Sequence, residues 1–565
     1  MPTLHPIHSF HRLFTRFTRS CPLNGGICPM SPTRGALVTG AAVTAAAAVA
    51  LTVVVWPEGS GNGSSGDTAS PSGTSAEAVA PSPSRSYPMS STPSTIPAVR
   101  EHTPARGPGW QPGKDSTVVI AKGSQVLADE AELLAKELKI RYRGAEPART
   151  GDVELALGDK DAGPTESYTL TVRDGKVKIT GPDESGVFYG TRTLKQSVKA
   201  DGTLPEGVVN DRPDRPQRGL NLDIARKHYS AEWIEDRIRE MGDLKLNQLG
   251  LHFSDDQAFR IESKSHPEVV SDEALTQDEV RRIVALANSR HIEVVPEIDS
   301  PGHLGAVLAA HPDLQLRNTA GVESKGSIDI SKPGAAKLID ELLDEYTELF
   351  PGRFWHLGAD EYQALTVQNP AASYPQLQRA AEEKHGAGAS IEDLATGWLN
   401  DRAAVVVPKG RTAKAWNDGL FRDTKVKADE NIEIEYWTGK EIGARPPLEY
   451  LAAGYKMLNL NDEFLYYVLG EPNEFVYPTG ERIYEQWTPL VMRGTEPVAE
   501  RYSQQILGGR FAVWGDLANA QTTQQVADGI RMPLVATSQK LWDPRKPALS
   551  WARFQDLAER TGSAG

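Results

Sequence analysis

The chain has 565 residues, of which 24% are charged and 39% hydrophobic, and its formal net charge is -14 at pH 7. This length allows more than one domain and a large buried core. The negative charge argues against a nucleic-acid partner, and the only two cysteines, Cys21 and Cys28, leave the rest of the chain without a thiolate ligand or a disulfide.

The first 116 residues form three segments of different composition. Residues 1–34 contain arginine and no acid, and residues 35–56 contain no charged side chain. As a helix, the second segment is about 33 Å long, enough to cross a bilayer. We therefore predict a cytoplasmic basic segment, a transmembrane anchor or a secretion signal, and an extracellular remainder that is membrane-anchored or secreted. Residues 57–116, rich in Ser, Pro, Gly and Thr, predict a disordered linker.

Residues 117–211 have the pattern of a small α/β domain. Apolar runs predict strands at 118–121 and 153–157, and apolar spacings of three and four predict a helix over 126–140. Asp174-Gly175 separates two further runs and indicates a tight hairpin. This part shows no cluster of side chains suited to catalysis, and we interpret it as a supporting domain.

From residue 212 to 565, strand and helix patterns alternate regularly, as expected for βα units. Ser230 is a candidate N-cap for a helix over 231–244, and another helix is predicted over 277–289. The chain is therefore expected to form a (β/α)8 TIM-type barrel. Its eight predicted strands are 220–224, 248–253, 292–298, 354–358, 412–416, 432–437, 456–460 and 511–514.

The fourth predicted strand ends in two adjacent acids, Asp360 and Glu361. Neighbouring side chains on a strand point to opposite faces, so both acids can serve one site only where the strand ends and the backbone turns. The carboxyl ends of the strands form the catalytic rim of a TIM barrel. Two carboxyls there can divide acid and base roles, because burial and proximity separate their pKa values.

Polar side chains also follow the other predicted strands. Tryptophans suit the apolar faces of sugar rings, while carboxylates, amides and arginine suit ring hydroxyls. The sequence lacks the paired-histidine helix motif of a metal site, so we predict neither a metal nor a cofactor. The residues at the predicted strand ends are Arg218, Asp223, His252, Asp255, Asp256, Glu297, Asp299, His303, Trp416, Asn417, Asp418, Trp437, Asn459, Asn461, Trp514 and Asp516.

Four motifs in order resemble the family 20 glycoside hydrolases, the β-N-acetylhexosaminidases. They are the segments beginning at Arg218, His252, Glu297 and His356. The resemblance covers about residues 117–560, and the segments around Trp416, Trp437 and Asn461 are similar to the dispersin and lacto-N-biosidase branch. It implies a retaining mechanism in which the 2-acetamido group of the substrate attacks the anomeric carbon.

The resemblance also implies roles for individual residues. Glu361 would be the general acid and base, and Asp360 would orient the acetamido group. Asp255 and His303 would form a pair that tunes Glu361. The substrate-binding residues would be Arg218, Trp416, Trp437, Asn461, Tyr466, Trp514 and Asp516.

Three positions depart from the family pattern. Ala359 replaces a usual glycine, which is tolerated if the backbone there is not left-handed. Asp516 replaces a longer glutamate, which leaves the choice between GlcNAc and GalNAc open. Asn461 and Tyr466 replace a more common Tyr-x-Asp arrangement.

Three functions are consistent with the sequence. The first is an exo-acting β-N-acetylhexosaminidase whose partners are β-linked N-acetylhexosamine glycans. The second is a lacto-N-biosidase or a dispersin-like hydrolase of β-1,6-GlcNAc polymers. The third is a non-catalytic carbohydrate-binding wall protein, against which the intact pair of Asp360 and Glu361 argues. The oligomeric state stays open.

Overall fold

The computed structural model describes residues 86–161, 163–441 and 443–563. Within those ranges no helix is both long and apolar enough to span a bilayer. That finding overturns the predicted extracellular, membrane-anchored location. The segments 1–34 and 35–56, on which that prediction rested, lie outside the described residues.

The first domain is a seven-stranded sheet in the order β1-β7-β5-β6-β4-β2-β3. Asp174 and Gly175 have φ angles of 52° and 67°, the left-handed pair that a tight hairpin requires, and they join β5 to antiparallel β6. The strands are β1 Glu101–Pro104, β2 Thr117–Ile120, β3 Arg141–Tyr142, β4 Val153–Leu157, β5 Tyr168–Arg173, β6 Lys176–Gly181 and β7 Gly207–Asp211, and the helices are α1 Ala128–Leu138 and α2 Glu184–Asp201.

This domain begins earlier than the composition suggested. Strand β1 lies within the interval predicted as a linker, and it pairs in antiparallel register with β7 from Glu101 opposite Asn210 to Pro104 opposite Gly207. Ile96 is fully buried against the barrel core. The proline-rich composition of this segment did not indicate a strand. Proline is tolerated in β1 because β1 is an edge strand, with a neighbouring strand on one side only.

The second domain is the predicted (β/α)8 barrel. Eight parallel strands follow one another in the order β8, β9, β10, β13, β14, β15, β16 and β18, and pairing of β16 with β18 and of β18 with β8 closes the barrel. The strands of this domain are β8 Gln217–Asp223, β9 Gln248–His252, β10 Glu293–Glu297, β11 Gln315–Arg317, β12 Glu323–Ile328, β13 Phe354–His356, β14 Thr412–Trp416, β15 Glu433–Tyr436, β16 Met457–Asn459, β17 Tyr466–Val468 and β18 Ile506–Trp514.

Local sequence explains where the barrel helices begin. The Ser230 hydroxyl accepts a hydrogen bond from the backbone of Trp233, and Thr276 forms a capping box with Glu279. The helices are α3 Ala231–Asp243, α4 Gln277–Asn288, α5 Gly305–Ala310, α6 Pro333–Leu349, α7 Pro370–Ser373, α8 Pro375–His385, α9 Ile391–Val406, α10 Pro447–Ala452, α11 Gly480–Gln486, α12 Thr523–Trp542 and α13 Trp551–Thr561.

Candidate active site

A pocket of about 340 Å³ opens at the carboxyl ends of the barrel strands. Its position is the one where TIM barrels hold their active sites. Eight of the predicted site residues line it, together with residues that the sequence interpretation did not assign. The lining residues are Arg226, His303, Asp360, Glu361, Trp416, Trp437, Thr438, Lys440, Glu441, Asp462, Tyr466, Val468, Asn473, Phe475, Trp514 and Asp516.

The turn after β13 brings both acids into this pocket. Gly358, Ala359 and Glu361 have φ angles of 70°, 81° and 46°, so the backbone leaves the extended conformation in which neighbouring side chains would diverge. Ala359 therefore occupies a left-handed conformation, which contradicts the condition under which its replacement of glycine was expected to be harmless. The backbone of Ala359 donates to Asp299 Oδ1 at 3.0 Å, and that of Glu361 donates to Asp418 Oδ2 at 3.2 Å.

Glu361, His303 and Asp255 form a chain of contacts. His303 Nε2 lies 3.2 Å from Glu361 Oε2, and its Nδ1 lies 3.4 Å from Asp255 Oδ2. Burial lowers the pKa of His303, but the charges of Asp255 and Asp360 outweigh it and raise that pKa well above the ordinary value. The hydrogen bond with His303 in turn lowers the pKa of Glu361. His303 therefore favours the ionised form of Glu361 in this structure.

Asp360 lies between two other buried acids, Asp299 and Asp418. Burial raises the pKa of all three carboxyls, and Asp360 adds to the rise at both neighbours. His303 Nε2, 3.6 Å from Asp360 Oδ2, opposes the rise at Asp360. Side-chain atoms of Asp299, His303 and Asp360 that could ligate a metal ion lie within 4.8 Å of one another. The same three side chains already interact with one another in the network of acids and histidine around Asp360.

Five aromatic side chains line the pocket: Trp416, Trp437, Tyr466, Phe475 and Trp514. Trp437 and Tyr466 are stacked, with ring centroids 5.7 Å apart and planes at 5°. Trp514 lies 5.7 Å from Tyr466 and 5.8 Å from Trp416. The Trp437 indole donates to Asp418 Oδ1 at 2.8 Å, which fixes its ring beside the acid pair. Such a wall suits the apolar face of a pyranose ring.

Short strand β17 delivers Tyr466 to this wall, an element that the sequence interpretation missed. Its three residues pair in parallel with the last residues of β18, with Tyr466 opposite Ala512. A three-residue strand that follows a turn has too few alternating positions to be recognised in a sequence.

Arg226, and not Arg218, is the arginine that lines the pocket, where Lys440 is a second cation. Its guanidinium contacts Asp223 at 3.0 Å and Asp255 at 2.7 Å, and it lies 5.4 Å above the Trp514 ring. Burial lowers the pKa of Arg226, but the charges of Asp223, Asp255 and Asp516 more than reverse this effect. Its place just after the carboxyl end of β8 was the signal that could have identified it.

Arg218 lies at the other end of the barrel. It is fully buried near the start of β8 and contacts Glu166 of the first domain at 2.8 Å. Tyr189 and Trp542 flank its guanidinium at 5.6 and 5.4 Å. The prediction that Arg218 binds substrate is therefore wrong, because the amino ends of the strands face away from the catalytic rim.

Asn461 is also absent from the pocket lining. It is fully buried, donates to the Val491 carbonyl at 3.2 Å and accepts from the backbone of Glu463 at 2.8 Å, so its role is to shape the turn. The next residue, Asp462, lines the pocket and contacts Lys440 at 3.0 Å. The polar side chain that this segment presents to the pocket is therefore that of Asp462, one residue after the predicted Asn461, because neighbouring side chains point in different directions.

Paired carboxyls beside aromatic rings at the carboxyl rim of a TIM barrel suit the hydrolysis of a glycosidic bond. The sequence agrees: residues 216–544 match "Glycosyl hydrolase family 20, catalytic domain", and residues 92–212 match "Glycosyl hydrolase family 20, domain 2". The chain belongs to glycoside hydrolase family 20. This confirms the family, the glycosidase class and the barrel fold expected from the sequence.

Similar proteins include a lacto-N-biosidase of Bifidobacterium bifidum, 31% identical over 82% of this chain, of whose length the chain covers 41%. A "Beta-hexosaminidase" of Vibrio furnissii is 27% identical over 72% of this chain and 71% of its own length. Among solved structures, a GH20 exo β-N-acetylglucosaminidase from Vibrio harveyi has a TM-score of 0.68 at 20% identity, covering 84% of this chain and 78% of that chain. This last likeness concerns the fold.

Proposed function

We propose that the chain is a retaining β-N-acetylhexosaminidase that removes β-linked N-acetylhexosamine with help from the substrate's own acetamido group. The adjacent acids Asp360 and Glu361 in one aromatic-walled pocket carry this proposal. Two carboxyls on neighbouring residues are poorly placed to act from opposite sides of a glycosidic bond, as the ordinary two-carboxylate mechanisms require. A nucleophile supplied by the substrate removes that requirement.

In the first step, the acetamido oxygen forms a bond to the anomeric carbon while the bond to the leaving oxygen breaks. Although His303 lowers the pKa of Glu361 and burial raises that of Asp360, this step uses protonated Glu361, which gives its proton to the leaving oxygen. It also uses ionised Asp360, which stabilises the positive charge that develops on the acetamido group. In the second step, Glu361 takes a proton from water, which attacks the anomeric carbon and opens the oxazolinium ring. The product keeps the β configuration.

Tyr466, Trp416, Trp437 and Trp514 enclose the sugar in this proposal. Arg226, Asp462 and Asp516 offer charged groups to its hydroxyls, where bidentate hydrogen bonds give orientation. Burial raises the pKa of Asp516, which favours its protonated form, and that form can donate as well as accept a hydrogen bond. The preference between GlcNAc and GalNAc would be decided in this group.

A second candidate is release of a disaccharide or cleavage within a β-1,6-linked polymer. A neighbouring cavity of about 410 Å³ shares Lys440, Asp462, Asn473 and Phe475 with the pocket, which gives room for a further sugar unit. The shorter Asp516 leaves additional space, and the Bifidobacterium bifidum relative is a lacto-N-biosidase. These observations favour an open cleft over a closed one-sugar pocket.

The deciding experiment compares two aryl substrates, p-nitrophenyl β-GlcNAc and the p-nitrophenyl β-glycoside of Gal-β-1,3-GlcNAc. The first proposal expects turnover of the monosaccharide substrate and strong inhibition by a thiazoline that mimics the oxazolinium ring. Release from the disaccharide substrate alone would favour the second candidate. Binding of either sugar without hydrolysis would contradict both and indicate a carbohydrate-binding protein.

A further inference from the structure

Three side chains, outside the residues that line the pocket, converge at the surface of the barrel: His266, Glu268 and His311. Glu268 Oε1 lies 3.0 Å from His266 Nδ1 and 3.0 Å from His311 Nε2. All three ligand atoms lie within 4.8 Å of one another. The side chains keep 14%, 44% and 25% of their surface exposed, so the group is accessible to ions in solution.

We propose that this group binds a single zinc ion through His266 Nδ1, His311 Nε2 and the Glu268 carboxylate, with water as the fourth ligand. Zinc–nitrogen and zinc–oxygen bonds of about 2.0–2.2 Å give tetrahedral ligand separations of about 3.3 Å. The two observed separations of 3.0 Å need to widen by only a few tenths of an ångström. Two imidazoles and one carboxylate also form a donor set that zinc uses.

A fourth side chain orients the site. His266 Nε2, on the side of the ring away from Glu268, lies 3.2 Å from Glu341 Oε2 on α6. When Nδ1 binds the metal, Nε2 carries the proton, and this N–H donates a hydrogen bond to Glu341. Such a carboxylate fixes both the ring orientation and the tautomer of a metal-binding histidine.

The ion would connect two loops at the catalytic rim. His266 and Glu268 belong to the loop that follows β9, which also carries Asp255, and His311 follows α5 in the segment after β10, which also carries His303. Asp255 and His303 contact each other beside Glu361. A bound zinc ion would therefore cross-link the two loops that carry Asp255 and His303. Zinc binding is expected to raise the melting temperature of the protein.

The test measures metal binding by the full chain with Co²⁺ as a spectroscopic probe and Zn²⁺ as its competitor. Cys21, Cys28 and several histidines also occur near the start of the chain, so the difference between wild type and His311→Ala isolates the site. We expect the variant to lose one equivalent of tetrahedral Co²⁺ absorption and the rise in melting temperature with Zn²⁺. Glu341→Gln should keep the equivalent with about 10- to 100-fold weaker affinity.

His385→Ala is the matched control, because His385 is a partly buried histidine that belongs to neither group of three ligand atoms found in the described part of the chain. This variant should bind metal as the wild type does. If His311→Ala folds poorly, Glu268→Gln serves in its place, since this side chain is partly exposed and keeps its shape. Equal stoichiometry and affinity in wild type and ligand variants would overturn the proposal and leave only a surface ion cluster.

Discussion

Glu361 is the pocket carboxyl that lies within hydrogen-bond distance of His303. As the proposed proton donor, it matters most when the leaving group is a poor one. Glu361→Gln is therefore expected to lower kcat/KM by about 10²- to 10⁴-fold for a GlcNAc disaccharide and much less for p-nitrophenyl β-GlcNAc. Equal losses on the two substrates would contradict the assignment. Glu441→Gln, at another acid of the pocket lining, should reduce both activities to a similar and smaller extent.

Asp360 illustrates the conflict between stability and function. Because burial raises its pKa, the folded protein holds the proton more tightly than the unfolded chain does. The corresponding stability is fully present below the unfolded pKa of about 3.9 and is lost as pH rises through the folded pKa. At neutral pH the charged carboxylate therefore destabilises the fold.

Asp360→Asn removes this charge and is expected to raise the melting temperature at pH 7, with the difference from wild type closing near pH 4. Activity should fall about 10²- to 10³-fold on good and poor leaving groups alike, because the acetamido group loses its charge partner. Thermal denaturation between pH 4 and pH 8 checks the first result. A variant less stable than wild type at pH 7 would show that Asp360 contributes a net stabilising contact.

Ala359 has a φ angle of 81°, a conformation that glycine adopts without strain. Left-handed geometry disfavours a residue with a β-carbon by about 1–2 kcal/mol, and the extra freedom of glycine in the unfolded chain offsets part of that. Ala359→Gly is thus expected to raise the free energy of unfolding by up to about 1 kcal/mol with kcat/KM within twofold of wild type. Urea denaturation measures the first quantity.

The control for that change is Ala364→Gly, in the short helix Gln363–Leu365 after the same turn. Ala364 is fully buried there, so losing its methyl group should lower stability. If both glycine variants were destabilised equally, the left-handed backbone at Ala359 would carry no strain.

At the scale of elements, strand β10 places Glu297 beneath the aromatic wall. Its carboxylate accepts from the Trp416 indole at 2.7 Å and contacts His252 at 3.0 Å and His356 at 3.2 Å. Burial alone would raise the pKa of Glu297, but the charges of both histidines hold it well below the ordinary value. The ionised carboxylate thus fixes the position of Trp416.

Glu297→Gln is expected to lower kcat/KM about 10- to 100-fold, since a hydrogen bond to a charged group contributes about 1.5–3 kcal/mol. Glu293→Gln, at the opposite end of the same strand, is the matched control: its carboxylate accepts from the backbone of Phe354 and should affect stability without affecting KM. Comparable kinetic losses in both variants would indicate a general defect of the strand.

The barrel strands were predictable because each joins a buried apolar run to a polar end, and this pattern extends beyond the paired residues of short strands such as β13 and β16. Side-chain directions at the strand ends were less predictable. Arg218 lies near the start of β8 and Arg226 just after its end, and only these positions distinguish a residue at the domain interface from a residue in the pocket. Likewise, the turn at Ala359 depends on contacts with Asp299 and Asp418 from other strands, which local sequence does not report.

At the scale of the whole molecule, the first domain is joined to the amino end of the barrel, opposite the catalytic rim. Arg218 is central to this junction: besides Glu166, its guanidinium donates to the carbonyls of Lys245 and Arg215 at 3.0 and 2.8 Å. Arg218 is fully buried and its partner Glu166 is largely so. Removing one member of such a pair leaves the other charge unpaired in the interior.

Arg218→Met is therefore expected to lower the free energy of unfolding by about 3–5 kcal/mol, while KM of the folded enzyme stays within twofold of wild type. Adding Glu166→Gln should restore part of that loss, because the second change removes the unpaired carboxylate. Asp516→Asn, at the pocket, should show the opposite pattern, with altered KM and little change in stability. An increase in KM for Arg218→Met without loss of stability would contradict this structural role and support a role for Arg218 in substrate binding.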